Sequence, residues 1–526
     1  MFAQSAAAEL LDVPVEAVQA ELETLTRQVS RRRFLAASAA VGTGLAMGST
    51  ATRALAAAGR GSPPLAPRVA IVGAGLAGLR CAHLLWTGQP GRRVRATIYE
   101  GHADRIGGRC WTLRDFFSNG LITEHGGAFL DSNQFTVLRL AAQLGLELED
   151  YNGGELPGLP EVYWFDGAYY TYAEASADWE TVGFPAFHAA VNEAATTAGT
   201  RRLDHLSAPE WLDQTPIGSS SRFGRLMLAN TVSENGGDPG DQSALDLIYL
   251  TGANPRRSLD PLPGYDEKWH IVGGNDQLVS GMAAQLPEPA IELGHRLVAL
   301  RENGDRSQTL TFEVGGVTTD VVADHVVLAL PFSTLREVDL SGAGFSAEKR
   351  RVIDTLGMGF NAKIHVEVGE KTWTRSGFNG VAYTDWHGFD VCWDDSVPLG
   401  PRGAPALLNA FPGASTGRAV LTGADHGPSP SGDVDWFLDQ VDPIFPGTRK
   451  AYTGLSYEDH WARDPWVKGA YSYMRVGQAA SYGPIAAASE GRVHFAGEHT
   501  SINNQGFLDG AVETGERAAR EIFRQL

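Results

Sequence analysis

Three cysteines in 526 residues, Cys81, Cys110 and Cys392, are too few and too scattered for a disulfide framework, and none stands in C-x-x-C spacing. They read as small buried apolar residues. Basic residues are also scarce: 43 Lys and Arg against 62 Asp and Glu leave a formal charge of -19. Apart from a short basic run near residue 31, nothing offers a positive stripe to a phosphate backbone, so nucleic acid is excluded as a partner. No apolar run reaches the ~20 residues that a membrane helix needs. Internal repeats are absent, and no group of His, Cys or carboxylates has ligand spacing, so no metal is expected. What remains is a chain with 43% apolar residues and 62 glycines. That is ordinary for a globular protein of more than one domain, and the glycines carry most of the information.

The basic run is Ser30-Arg31-Arg32-Arg33-Phe34-Leu35, followed by a weakly apolar stretch from Ala36 to Met47 and by the small residues Ala54-Leu55-Ala56. This is the pattern of a twin-arginine export signal with its cleavage site. That route carries folded proteins, which suits a chain that must acquire a nucleotide cofactor first. Export machinery is therefore an expected partner, and the mature protein is expected in the periplasm, outside the cell or at its surface. Residues 9–29 show helical spacing of apolar residues, a leader without an evident role. Residues 1–58 are thus signal and leader, and 59–67, rich in Gly, Pro and Ser, are the linker.

Arg68 to Val72 reads as a short apolar strand running into Gly73-Ala74-Gly75-Leu76-Ala77-Gly78, with a helix after it. Gly73 permits the tight turn, Gly75 lets the backbone approach a pyrophosphate, and Gly78 allows close packing of helix on sheet. The helix N-terminus adds N–H donors and a positive dipole end. A second strand, Val94 to Tyr99, ends at Glu100, 22 residues beyond Gly78, where a carboxylate would accept ribose hydroxyls. The fingerprint alone leaves NAD and FAD open.

The next segments carry a resemblance. Arg105-Ile106-Gly107-Gly108-Arg109, then Glu124-His125-Gly126-Gly127-Ala128-Phe129, Gly273-Gly274, the strand-like run Val326 to Pro331, Phe495-Ala496-Gly497-Glu498 and Gly506-Phe507-Leu508 follow in order along the chain. They resemble the flavin-containing amine oxidase family, the superfamily of monoamine and L-amino-acid oxidases. The resemblance implies an α/β, two-domain fold with a Rossmann-type dinucleotide-binding domain and a substrate domain of mixed sheet and helices. It implies FAD as cofactor, with Gly107, Gly108, Arg109, Gly126, Gly127, Ala128, Phe129, Val298, Gly497, Glu498, Phe507 and Leu508 beside it. Physically, Arg109 offers a charge-assisted donor to phosphate or flavin. A Glu498 near phosphate would need an intervening hydroxyl or water.

By the same resemblance Lys363 is the lysine that contacts the flavin through a water and assists reaction with oxygen. Its segment, Met358 to Val368, reads as a strand with Ala362, Ile364, Val366 and Val368 on one face and Lys363, His365 and Glu367 on the other. Tyr471 and Phe507 would form two walls of an aromatic slot steering an amine, Phe507 standing where tyrosine is commoner. Ala470 aligns with a cysteine that carries covalent flavin in some members, so noncovalent FAD is expected. The FAD domain is expected to be discontinuous, from residues 66–140, 266–340 and 460–526, with 141–265 and 341–459 forming the substrate domain. Residues 151–185 read as an entrance or lid, or equally as a hairpin with a polar outer face. The implied reaction is oxidative deamination of an amine by oxygen, giving a carbonyl product and hydrogen peroxide. An L-amino-acid oxidase stays open, with Arg222, Arg225, Arg256 or Arg257 available for a substrate carboxylate. A flavin dehydrogenase or desaturase, a noncatalytic flavoprotein and a homodimeric assembly also stay open.

Overall fold

The computed structural model of the protein describes residues 67–88, 93–151, 158–252, 259–260, 265–385, 387–396 and 405–526. The segments read above as leader, export signal and linker, up to residue 66, and Arg256 and Arg257 lie outside them. Among the described residues no helix is long and apolar enough to cross a membrane.

Val69–Val72 is buried at every position, as a strand covered on both faces must be. It pairs in parallel with His325–Leu328 on one side and Ala96–Tyr99 on the other. Val493–Phe495 and Ile291–Glu292 complete a five-stranded parallel sheet, so three distant stretches of chain meet in one layer. The helix Leu76–Thr87 leaves the fingerprint directly, and the closing helix Leu508–Gln525 shares its core through Val512, Ala518, Ala519 and Ile522. Burial of a Val or Ile side chain in such a layer contributes ~1.5–3 kcal/mol relative to exposure. A Cβ on Gly78 would lie 2.0 Å from the Gly73 carbonyl oxygen and 3.2 Å from Ile71 Cγ2, so helix and sheet approach this closely only because residue 78 has none. Gly73 holds φ at +102°, a conformation open to glycine.

Arg296–Glu302, Gln308–Val314 and Val317–Ala323 form an antiparallel meander, with Asp339–Gly342 added in parallel. The second large layer is an eight-stranded mixed sheet. Its strand Lys363–Val368 runs antiparallel between Ala406–Ala410 and Tyr452–Asp459. The alternation read from the sequence is present, but all six residues are buried, so the polar face is covered as thoroughly as the apolar one. Helices between Tyr172 and Gly252 build a separate core around Trp179, Phe187, Trp211 and Phe223.

Within 151–185, Val162–Phe165 and Ala168–Tyr170 form a hairpin at the edge of the eight-stranded sheet. Tyr163, Phe165 and Tyr170 of the hairpin pack into the helical core, while Tyr151, Gly158, Leu159 and Glu161 of the same segment line the cavity described below. The three cysteines are buried and unpaired.

Candidate active site

A cavity of about 740 Å³ runs from the fingerprint to the eight-stranded sheet. That is within the range of ligand sites, ~300–1,000 Å³. Gly73, Gly75, Glu100, Gly107 and Gly108 line its first part. Gly75 caps the fingerprint helix without a side-chain acceptor, and no acidic residue follows in the first turn. The positive end of the helix is therefore left for an anion. Across from it, Gly107 donates to the Ala74 carbonyl at 2.8 Å. A Cβ on Gly75 would meet nothing nearer than Gly107 O at 4.0 Å, and one on Gly108 nothing nearer than Gly75 Cα at 3.6 Å. Two glycines thus face an open cradle that side chains would fill, and this fits a pyrophosphate. Glu100 is held by the backbone N–H groups of Ala74 at 2.7 Å and His102 at 2.8 Å, which fixes its carboxylate at the end of the second strand.

Gly126, Gly127, Ala128, Phe129, Gly497, Glu498, Phe507 and Leu508 line the middle of the same cavity. A Cβ on Gly126 would sit 2.0 Å from Arg109 O, so the two glycine segments are in backbone contact. Two expected positions do not line it. Gly78 packs behind the cradle, and Val298 follows Arg296 and Leu297, which do face the cavity.

Arg109 lines the cavity, as the reading of it beside the cofactor requires, and is also tied to the protein. Its Nη1 donates to Ala470 O at 2.5 Å and to Glu498 Oε1 at 3.0 Å. Glu498 in turn accepts from Ser472 Oγ at 2.7 Å and from the Gly506 N–H at 2.9 Å. Burial raises its proton affinity, but the charges of Arg109 and His499 and the Ser472 hydroxyl outweigh this and hold it below the usual carboxylate range. Arg109 and Glu498 together clamp the 470, 498 and 506 segments to one another.

Lys363 is 3% exposed, and its Nζ donates to Glu124 O at 2.9 Å and Gly126 O at 2.7 Å. An ammonium has three donors, so one is left for the cavity that the side chain lines. Burial lowers its pKa, opposed by the charges of Asp395, Asp459 and Glu124. Trp393 and Phe411 lie 5.7 and 5.9 Å from the same nitrogen.

Behind Lys363 lies a buried ion network that sequence reasoning did not find. His365 reaches Asp395 at 3.3 Å and Asp459 at 3.6 Å, and Asp459 also takes His125 at 2.7 Å and His426 at 2.6 Å. His426 bridges onward to Asp464 at 3.1 Å. His125, His426 and Asp459 are close enough to suggest an ion site. Their ligand atoms, however, already meet at hydrogen-bond distance, closer than ~2.0–2.2 Å bonds to a common metal would leave them. Burial of Asp459 would raise its pKa, and the surrounding imidazoles reverse the shift to well below the usual value.

Tyr471 and Phe507 line the cavity beyond Lys363. The Tyr471 hydroxyl donates to Ser233 O. The ring stacked face to face on Phe507 is Tyr265, at 5.1 Å and 9°. Tyr265 was not anticipated, since nothing in the sequence around it marks a partner so far away. Ala470 also lines the site, and Cys110, the one cysteine that does, has its thiol pushed well above its ordinary pKa by burial and by Glu124 and Asp276. Of the arginines considered for a carboxylate, Arg222 and Arg225 pair with Asp166 at 3.4 and 2.6 Å, and Arg225 also with Asp385 at 3.1 Å. Neither lines the cavity.

Comparison with known proteins covers most of the chain. The profile of the family described as flavin containing amine oxidoreductase matches residues 76–523. Flavin-containing amine oxidase A of Equus caballus is 24% identical over 477 residues, spanning 87% of this chain and 85% of that one. Flavin-containing amine oxidase B of Cavia porcellus is 25% identical over 484 residues, spanning 87% and 86%. Among solved structures, cyclohexylamine oxidase from Brevibacterium oxydans IH-35A superposes with a TM-score of 0.72 at 21% identity, over 87% of this chain and 99% of that one. Wild-type putrescine oxidase bound to putrescine gives 0.70 at 20% identity, over 87% and 99%. These structural likenesses establish a shared fold.

Proposed function

This chain belongs to the flavin-containing amine oxidase family and uses FAD, and from that premise we propose that it oxidises a primary or secondary amine with oxygen as electron acceptor. The amine becomes an imine, which water hydrolyses to a carbonyl compound and ammonia or a smaller amine, while oxygen leaves as hydrogen peroxide. FAD, when bound, supplies the two-electron acceptor that this chemistry needs. The chain's own residues do the rest. Gly75, Gly108 and the fingerprint helix hold the phosphates, Glu100 the ribose, and Tyr471 and Phe507 orient the amine. Ala470 offers no sulfur and Cys110 remains a protonated thiol, so the cofactor is held noncovalently.

The observation that carries the oxygen half of this reading is Lys363, a buried cation on the cavity wall with one donor free of the protein backbone. A desolvated cation favours negative charge building up on oxygen far more than an exposed one would. The test is peroxide release from the purified yellow protein against aliphatic, aromatic and polyamine substrates and the L-amino acids. Peroxide with amines lacking a carboxylate supports the reading. Peroxide only with amino acids replaces it with the L-amino-acid oxidase alternative.

We further propose that the protein reaches its site of action folded, through the twin-arginine route. Changing Arg31 and Arg32 together to lysine is expected to leave cofactor-loaded protein in the cytoplasm, measured by cell fractionation. Undiminished export of the double variant would refute this.

A further inference from the structure

Lys363 is held by backbone, and that backbone has a support of its own. The two carbonyls that meet its Nζ belong to Glu124 and Gly126, so the residue between them is His125. The His125 carbonyl goes elsewhere and accepts Trp461 Nε1 at 2.8 Å. Its ring stacks on Trp111, with centroids 3.6 Å apart and planes inclined by 21°, and its Nδ1 stands 2.7 Å from Asp459 Oδ1. Glu124 is fixed separately, through a carboxylate that accepts Thr112 Oγ1 at 2.9 Å and the Asn275 N–H at 2.8 Å. Gly126 has no side chain with which to fix its carbonyl. It is set from its two neighbours, by His125 before it and by Asn275 Nδ2, which donates to Gly127 O at 3.1 Å, after it.

Asp459 joins this support to the lysine a second time. In the eight-stranded sheet Tyr452–Asp459 runs antiparallel to Lys363–Val368, and Asp459 is the residue directly opposite Lys363. Side chains at such positions stand on one face of the sheet. A carboxylate only accepts, so Nδ1 of His125 carries the proton in this contact. Burial lowers the pKa of His125 and keeps its ring neutral. His426 braces the same Asp459 oxygen at 2.6 Å from the other side. One buried carboxylate thus connects the loop that bears the two carbonyls to the strand that bears the lysine.

Resting on the reading of Lys363 as the group that assists oxygen, we propose that His125, braced by Asp459 and Trp111, is the positioning residue that aims the free donor of Lys363 into the cavity. In that half of turnover oxygen takes two electrons and two protons from the reduced cofactor and leaves as hydrogen peroxide. A preorganised cation stabilises the negative charge that builds up on oxygen only from the right place. His125 does not touch oxygen or cofactor in this role. It acts through the carbonyls on either side of it, and a loosened loop would let the ammonium turn toward other acceptors.

The test measures reaction with oxygen alone. Holoenzyme reduced with dithionite in the absence of air is mixed with oxygenated buffer, so the rate does not depend on which amine is the substrate. His125→Phe keeps a ring on Trp111 and removes the donor to Asp459, and it is expected to slow reoxidation about tenfold. His125→Asn, whose amide nitrogen stands where Nδ1 does, is expected to recover to within about threefold of the unaltered protein. Trp461→Phe removes only the donor to the His125 carbonyl. It is expected to slow reoxidation about threefold, and it decides the matter where His125→Phe does not retain FAD. A second readout needs no cofactor. In the apoprotein, acetylation of Lys363 by acetic anhydride, followed by mass spectrometry, is expected to be roughly fivefold faster in His125→Phe than in the unaltered protein or in His125→Asn. Reoxidation at the native rate in the deciding variant, equal slowing in His125→Asn, or unchanged acetylation overturns the assignment, and slow reoxidation of Lys363→Met then leaves the role of Lys363 standing. Native reoxidation of Lys363→Met sinks that role and this inference with it.

Discussion

Replacing Gly75 by valine is expected to yield a folded protein without yellow colour. The backbone there holds φ at -74° and ψ at 177°, open to any residue. A Cβ would also find no protein atom closer than 4.0 Å. Nothing in the fold demands glycine at this position, in contrast to Gly78, where a Cβ would lie 2.0 Å from a carbonyl oxygen. What a valine removes is the space in front of the helix N-terminus where the phosphates come closest to the backbone. FAD affinity should fall by at least ~100-fold, about 2.7 kcal/mol. Thermal unfolding of the apoprotein should be nearly unchanged. Gly78→Ala makes the useful contrast, because it should unfold early whether or not FAD is added. Stoichiometric FAD in the purified valine variant would move the pyrophosphate elsewhere.

Lys363→Met is the second large effect, and it separates two halves of turnover. The methionine keeps the length and loses the charge. Two backbone carbonyls, those of Glu124 and Gly126, lose their donor, a destabilisation of ~1–3 kcal/mol that should show as a lower melting temperature. In stopped flow, reduction by an amine under anaerobic conditions should change little. The rate constant for oxygen should fall by roughly 100-fold, about 2.7 kcal/mol of transition-state stabilisation. A merely structural lysine would slow both halves together or neither, so an unchanged oxygen rate would remove Lys363 from the reaction.

The dinucleotide end was legible in the sequence because its chemistry is local. Strand, glycines, helix and Glu100 fall within one short stretch, and each needs its neighbours in order. Lys363 was legible only through a resemblance, since a lone lysine on an alternating strand ordinarily faces water. The structure shows why the ordinary reading fails here. The strand is internal to its sheet, and its polar face is covered by Asp395, Asp459, His125 and His426. Those residues come from segments near 125, 395, 426 and 459, so no spacing in the chain announces them. The protein partner of Arg109 was hidden for a related reason: Glu498, which its Nη1 meets, lies almost four hundred residues away.

The parallel sheet that begins at Val69 ends with Val493–Phe495, and the helix that closes the cavity is Leu508–Gln525, the last of the chain. Synthesis proceeds in the opposite order from assembly. The fingerprint emerges from the ribosome first and must wait, with Ile71 and Ala77 uncovered, for partners made last. A growing chain therefore lacks the strand Val493–Phe495 and the helix Leu508–Gln525 until late in synthesis, and removing that helix would strip the first motif of its cover. Membrane translocation of an unfinished, threaded chain would strand the fingerprint on one side of the bilayer before its partners existed, away from the compartment where the cofactor is made. The export of a folded chain proposed above would accord with the order in which the sheet is closed.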